Sequence, residues 1–357
     1  MFDSPPWLRS RSFVALTIAS TTALPLAAQS KRFYQLESAT TLTGEAPSWD
    51  YLALDTVRGR LFIGRRQRGV TVFDLVQRKV IGDIANSTGA NATALVPDAD
   101  RGYTTNEDGS TTVFRLSTLE TIDRIKFGED ADAAVYEGVT GQVAFTMGDS
   151  KAITFLDAKS GAVTGKLPMP SAKLDGAVSD GDGSIFVAQR DRYSVARVDA
   201  RKRQLTAEWK ITGCEEPTGL VFDRARARLF VGCRGAHPVL AVMDARTGRV
   251  VSVQPIGRGN DGVAYDAVAR QVITSNGVDG NLVIYDQADA DRYTLAEATT
   301  TRPYARTMAF DPSTGKIYLV TAEGTVDPSK KVNAKVAPFY PNRYFDDTFT
   351  LLTYSRR

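Results

Sequence analysis

The sequence predicts an all-β fold, and three observations predict it. A pattern recurs seven times, with successive starts 41, 41, 43, 43, 43 and 45 residues apart. Each copy holds short runs rich in Val, Ile, Phe, Tyr and Thr, separated by turn signals. The last copy is one run short, while an orphan run precedes the first. Repetition at this period marks an array of small supersecondary units. Four β-rich runs with turns every 8–12 residues read as one antiparallel sheet. Seven such sheets read as a seven-bladed β-propeller of four-stranded antiparallel sheets, its ring closed by the N-terminal strand. A sandwich would not need seven copies. A helical solenoid would show a sustained 3.6-residue period with caps, and no segment does.

The first run of each unit starts at Asp50, Asn91, Asp132, Asp175, Thr218, Asp261 or Arg306. Five residues on stands Asp55, Val96, Glu137, Asp180, Asp223, Asp266 or Asp311, acidic in six units of seven. A polar or Gly-containing turn follows, as in Asp311-Pro312-Ser313-Thr314-Gly315. The second run includes Leu61-Phe62-Ile63, Ile185-Phe186-Val187 and Leu229-Phe230-Val231. The third ends on Asp74, Asp157, Asp199, Asp244 or Asp286, with Arg115 in that place in the second unit. Asp244-Ala245-Arg246-Thr247-Gly248 is a turn signal, because Asp bonds the backbone that follows it and Gly tolerates positive φ. A fourth run, such as residues 80–84 or 250–254, closes each unit.

The seventh unit has runs at 306–310, 316–320 and 348–354 only. The orphan run, 34–42, supplies the missing outer strand. Pairing it with the last sheet closes the ring and removes edges that would template aggregation.

The units resemble the YVTN repeats of the YncE-like seven-bladed propellers, over essentially all of residues 34–354. The stretches that carry the resemblance are Trp49-Asp50-Tyr51-Leu52, Cys214-Glu215-Glu216-Pro217-Thr218-Gly219-Leu220, Arg228-Leu229-Phe230-Val231-Gly232-Cys233-Arg234 and Ser275-Asn276-Gly277. The second unit departs from the pattern, as does an insert at 326–347. The resemblance implies an exported seven-bladed propeller and leaves the chemistry open, because propellers host enzymes, binders and scaffolds alike.

Composition fits that architecture. With 43% hydrophobic and 24% charged residues, the 357-residue chain is ordinary globular protein. Residues 1–28 read as a signal peptide: Arg9 and Arg11, an apolar stretch at 13–26 too short to span a bilayer, then Ala27-Ala28. The mature chain, 29–357, is expected to be one propeller domain, periplasmic or secreted, soluble and monomeric. Removing the leader lowers the formal charge from +3 to +2, too little for a nucleic-acid or membrane-surface protein.

In a propeller the first strand of each sheet lines the channel. The seven starts should therefore ring one mouth: Asp50, Asn91, Asp132, Asp175, Thr218, Asp261 and Arg306. Second-strand ends should lie further out, at Arg65, Asn106, Gln189, Arg190, Arg234, Asn276 and Glu323. Four converging carboxylates need a counter-charge, protonation or a cation. Arg306 can serve Asp261 and Asp50. A divalent cation is the candidate cofactor, with Asp50, Asp132, Asp175 and Asp261 as its candidate ligands. The competing reading is structural, with Asp and Asn capping loop N–H groups.

Cys214 and Cys233 flank the first hairpin of the fifth unit and fall roughly opposite one another, so a disulfide is expected, as an oxidising compartment permits. A redox-active pair would need C-x-x-C spacing, which is absent. His237, the single histidine, has no G-x-S-x-G partner and reads as a loop residue. The insert at 326–347 combines Pro328, Pro338 and Pro341 with Lys330, Lys331, Lys335 and Arg343 and with Phe339, Tyr340, Tyr344 and Phe345. It reads either as a lid over the mouth or as a decoration. Asn86-Ser87-Thr88 and Asn91-Ala92-Thr93 are glycosylation sequons in a suitable host.

The function expected is binding of a small molecule or periplasmic protein at the channel mouth, without turnover. The residues expected to bind are Asp50, Asn91, Asp132, Asp175, Thr218, Asp261, Arg306, Asn276 and Arg234. On that reading Asn in place of Asp132, Asp175 and Asp261 alters binding but leaves the fold intact. The alternative is a metal-dependent hydrolase or lactonase using the same acids.

Overall fold

A computed structural model describes residues 33–46, 48–330 and 341–357. The leader at 1–28 lies outside the described residues, as do Lys331, Lys335, Pro338, Phe339 and Tyr340 of the insert. Seven four-stranded antiparallel sheets are present. Their inner strands are Leu52–Asp55, Ala90–Val96, Ala131–Glu137, Leu174–Ser179, Pro217–Asp223, Asn260–Asp266 and Met308–Asp311, numbered here as blades 1 to 7. Each inner strand contacts the next, and the seventh contacts the first, so the ring is closed. Among the described residues no helix is long and apolar enough to cross a membrane.

Closure follows the expected route. Tyr34–Thr41 is the outer strand of blade 7, paired antiparallel with Thr350–Arg356 from Tyr34↔Arg356 to Thr41↔Thr350. Tyr34 fixes the joint further. Its backbone N–H donates to Glu297 Oε1 of blade 6 at 2.8 Å, and its hydroxyl donates to the Gly315 carbonyl at 3.0 Å.

The burial pattern explains the run types. Second and third strands, such as Gln142–Met147 and Val70–Asp74, are buried at every position. They pack on neighbouring blades through both faces, so they read as continuous apolar runs rather than alternating ones. Outer strands such as Lys79–Asp83 face solvent. Between blades 4 and 5 the core gathers Phe186, Val195, Leu229, Val231 and Met243 around Cys214 and Cys233.

The repeated acids cap turns. Asp55 Oδ1 accepts from Val57 and Arg58 N–H at 3.1 Å each, Asp266 from Val268 and Ala269, and Asp244 from Arg246 and Thr247. Each orphan N–H pair of a turn is thereby satisfied. Blade 2 departs where its sequence does. After Val96 a short 3-10 turn, Pro97–Ala99, leads to Asp100 in the left-handed region. Asp100 then caps Ser117 N–H at 2.8 Å, the task of the acid that Arg115 displaces.

Cys214 and Cys233 are joined by a disulfide with Cα atoms 5.4 Å apart. The insert starts from a two-stranded pairing of Gly324–Thr325 with Arg343–Tyr344. Tyr344 packs on Trp49, ring centroids 4.7 Å apart, which ties the base of the insert to the approach to blade 1.

Candidate functional site

Each inner strand begins at the same end of the channel, so its first residues meet residues far away in the chain. Asp50, Asp175, Asp261 and Arg306 converge as expected. They form one network with residues of the loops after the second strands. Arg66 Nη2 donates to Asp50 Oδ2 at 2.5 Å, and its Nη1 to Glu107 Oε1 at 2.6 Å. Arg306 Nε donates to Asp261 Oδ2 at 3.0 Å, and its Nη2 donates to the Trp49 carbonyl. Arg234 Nη2 lies 3.0 Å from Asp261 Oδ1 and 3.5 Å from Asp175 Oδ2. Arg190 Nη1 donates to Asp175 Oδ2 at 3.3 Å and Nη2 to Glu216 Oε2 at 3.2 Å. Ion pairs thus run from blade 4 through blades 5, 6 and 7, and Arg66 links Asp50 of blade 1 to Glu107 of blade 2.

Tyr51 crosses the channel beneath this network. Its hydroxyl donates to Asp175 Oδ1 at 2.6 Å, joining blade 1 to blade 4. The residues at its position in the other blades are Ala92, Ala133, Gly176, Gly219, Gly262 and Thr307. Small walls leave room on the axis for the one large ring. Burial, and then the carboxylates led by Asp175, push the Tyr51 phenol well above its ordinary value.

The network sets the protonation of the mouth. Burial would lower the Arg234 guanidinium, but Asp261 and Asp175 hold it above its usual range. Burial raises the Asp50 carboxyl, with Arg66 and Arg306 pulling the other way. Asp132 is pushed well above the ordinary carboxylate value by burial, then by Asp175 and Asp50, with Arg66 opposing.

The first inner-strand positions of blades 2 and 3 break the pattern. No ion pair or side-chain hydrogen bond serves the Asp132 carboxylate among the described residues. Asn91 is 1% exposed and its Nδ2 donates to the Ala131 carbonyl at 3.0 Å, which fixes the amide's orientation. Its Oδ1 is buried with no partner. Thr218 makes the corresponding staple in blade 5, its hydroxyl 3.3 Å from the Asn260 carbonyl, and is fully buried. Thr218 belongs to the seam between blades rather than to an open mouth.

Three expectations meet the following geometry. Asn276 is buried inside blade 6, where Nδ2 donates to Asn281 Oδ1 at 2.9 Å and Oδ1 accepts from Asn260. It braces the hairpin, as Asn106 does by donating to Ser110 Oγ and Gln189 by donating to Ser194 Oγ. Next, no group of three or more His, Cys, Asp or Glu among the described residues is placed to hold a metal ion. Asp50, Asp175 and Asp261 instead face arginines, while Asp132 has no arginine partner among the described residues. Finally, Asp175 and Asp261 are the anions of Arg190, Arg234 and Arg306, so replacing them is not neutral to the fold.

Sequence reasoning missed Arg66 and Tyr51. Counting along the second strand selects Arg65, but Arg66 has φ +45° and its N–H donates to the Ala90 carbonyl of blade 2. That kink turns Arg65 away, over the Phe349 ring at 4.3 Å, and sends Arg66 to the mouth. Tyr51 was signalled by its size against small residues in the other six units. His237 is exposed beside the disulfide, away from the network.

No protein-family model and no curated protein matches this chain. Solved structures do resemble it in fold. The WD40 repeats of RRP9 align with TM-score 0.74 at 9% identity, over 92% of this chain and 100% of that one. A chain of the mitotic checkpoint complex aligns with TM-score 0.70 at 14% identity, over 87% and 96%. A chain of hydrazine synthase from Kuenenia stuttgartiensis aligns with TM-score 0.68 at 14% identity, over 78% and 94%. The chain is a seven-bladed β-propeller. At these identities the likeness establishes the fold alone.

Proposed function

We propose that this propeller is a binding module that takes a small ligand or a protein partner at the Asp50–Arg234–Asp261 mouth, without chemical turnover. One observation carries the reading: the pairing of charges around the mouth is uneven. Asp50, Asp175 and Asp261 have arginine partners, while Asp132 and the Asn91 carbonyl oxygen on blades 2 and 3 have none. A fold built for closure alone gains nothing from a buried amide oxygen beside a half-buried carboxylate, neither with a donor. A metal-hydrolase reading lacks its three converging donors among the described residues.

The same reading places the chain among YncE-like YVTN propellers, exported after cleavage near residue 29 as a single domain. The disulfide fits an oxidising compartment, periplasmic or extracellular.

The test is hydrogen exchange with ligands found by a thermal-shift screen of charged small molecules and peptides. Stabilising ligands should protect backbone amides at 50–51, 91–92, 131–133, 189–190 and 233–235. They should be recovered chemically unchanged. Protection confined to the outer strands, or conversion of the ligand, would sink the proposal.

A further inference from the structure

Every inner strand begins at the mouth, so the turn that leaves it lies at the opposite end of the ring. The turn between third and fourth strands lies beside it. Leu75 N–H donates to the Gly59 carbonyl, Ala158 to Gly141 and Ala200 to Gly183, each at 2.9 Å. Neighbouring blades join there too: Arg101 Nε donates to the Lys159 carbonyl at 2.7 Å, and Arg228 Nε to Asp291 Oδ1 at 3.0 Å. The turns therefore form one face, away from the mouth. In these turns the capping acid points inward and the residue two places on points outward. Val57 N–H donates to Asp55 Oδ1 at 3.1 Å, Val76 to Asp74 Oδ1 at 2.9 Å, Val139 to Glu137 Oε1 at 3.2 Å and Val268 to Asp266 Oδ1 at 2.9 Å. The acids are buried, whereas the four valines are from 52% to 88% exposed. In two other turns the same place holds a base, Lys159 or Arg246. Turn chemistry favours Gly, Asn, Asp or Ser, so an exposed valine at the tip serves neither the turn nor the core. Arg78, Arg201, Arg224 and Arg270 are also exposed in these turns, with no ion pair among the described residues. The exposed acids are fewer: Asp98, Glu120, Asp182 and Asp291, the last bound to Arg228 at 2.7 Å. The small net charge of the chain conceals this face, because its acids fold onto turn N–H groups while its bases reach solvent.

We propose that this turn face docks on a membrane surface of anionic lipid, with its bases on the headgroup phosphates and its valines at the boundary between headgroups and acyl chains. The proposal goes beyond binding at the mouth, which stays uncovered on the opposite side. Charge and apolar tips point to the same partner. Each base held near an anionic surface contributes about fivefold to partitioning. An exposed aliphatic side chain gains only where the partner offers an apolar layer. A nucleic acid would meet the same bases, but single strands are held by stacking on aromatic rings. No Phe, Tyr or Trp stands in these turns. Valines laid on a phosphate backbone would bury nothing. A lipid surface is also broad enough to meet the tips of blades 1, 3 and 6 together.

The experiment is sedimentation of the full chain with vesicles of phosphatidylcholine alone and of phosphatidylcholine mixed equally with phosphatidylglycerol, at low and at high salt. The expected result is binding to the mixed vesicles only, weakening as salt screens the bases. Arg201→Gln with Arg246→Gln should weaken it by about tenfold or more. Val57→Asn with Val268→Asn puts a turn-favouring residue at each tip and should weaken it by about fivefold or more. Lys151→Gln with Arg302→Gln, both exposed on loops of the mouth face, should bind as the wild type does. No binding to the mixed vesicles, or equal binding to both kinds, overturns the proposal without recourse to any variant. So does a valine variant that binds like the wild type, or a mouth-face variant that loses as much as the turn-face one. A single-stranded oligonucleotide is the competing polyanion. Tighter binding of it than of the mixed vesicles, lost with the turn-face bases and indifferent to the valines, would make this a nucleic-acid surface and remove the lipid assignment. Each of these failures leaves ligand binding at the mouth untouched.

Discussion

The Tyr51 hydroxyl donates to Asp175 Oδ1 at 2.6 Å across the propeller axis. Their inner strands are three blades apart, and no backbone pairing links them. The bond braces the ring across its diameter and places a ring system between the charged mouth and the channel below. Tyr51→Phe keeps the ring and removes the donor. A hydrogen bond to a charged group contributes about 1.5–3 kcal/mol, so the variant should lose stability on that scale in guanidinium titration. An unchanged midpoint would show that the brace contributes nothing.

Arg234 bridges two carboxylates of different blades, and its side chain is only 17% exposed. Arg234→Met leaves Asp175 and Asp261 short of a counter-charge in a protein interior. Breaking such a pair typically costs about 3–5 kcal/mol. Arg258, whose side chain is 57% exposed, pairs with Asp279 at 2.7 Å at the surface, and Arg258→Met should cost about 1 kcal/mol or less. Equal losses in the two variants, measured by urea unfolding, would contradict the mouth network as a structural element.

The contrast between these arginines shows what the sequence could and could not reveal. The seven-fold period, the acid after each inner strand and the displaced outer strand were legible, because turn capping and strand pairing depend on local residue types at fixed spacing. Asp50, Asp175, Asp261 and Arg306 meet at one end for the same reason, as equivalent residues of equivalent strands. The pairing of charges was not legible. Arg66 reaches the mouth only because its backbone turns to φ +45°, so strand counting selects Arg65. Asn276 satisfies every geometric rule for a second-strand end, yet its amide is consumed by Asn281, which only side-chain contacts disclose.

The disulfide adjoins the same network. Cys233 precedes Arg234, and Cys214 precedes Glu215 and Glu216, the latter bonded to Arg190. The Arg234 N–H also donates to the Glu216 carbonyl at 3.2 Å. The link spans a sequence separation of 19, which in the chain-entropy model stabilises by about 3 kcal/mol. The paired replacement Cys214→Ala with Cys233→Ala should lose about that much. It should also make the wild type's response to dithiothreitol disappear. A variant as stable as the oxidised wild type would deny the link any structural role.

Asp132 offers a test with a defined sign. Its folded carboxyl is held well above the ordinary value of 3.8 by burial, then by Asp175 and Asp50, with Asp130 adding and Arg66 opposing; the Tyr51 phenol feels the same charge. Between 3.8 and the raised folded value, the native state keeps a proton that the unfolded chain has released. Stability from this group is therefore complete below 3.8 and is lost as pH rises through the folded value. Asp74, Asp100 and Asp157 are held below their ordinary values, chiefly by hydrogen bonds, and act in the opposite sense as pH falls. Their contribution is common to wild type and Asp132→Asn, and cancels in the difference. The variant should match the wild type near pH 3 and become progressively more stable than it as pH rises, until Asp132 is ionised in both states of the wild type. Urea unfolding of both proteins at several pH values reads this directly. Parallel pH curves, or a variant less stable at pH 7, would mean that Asp132 has a native partner that compensates its charge. In that case the reading of Asp132 as the unpaired acid of the mouth would not stand.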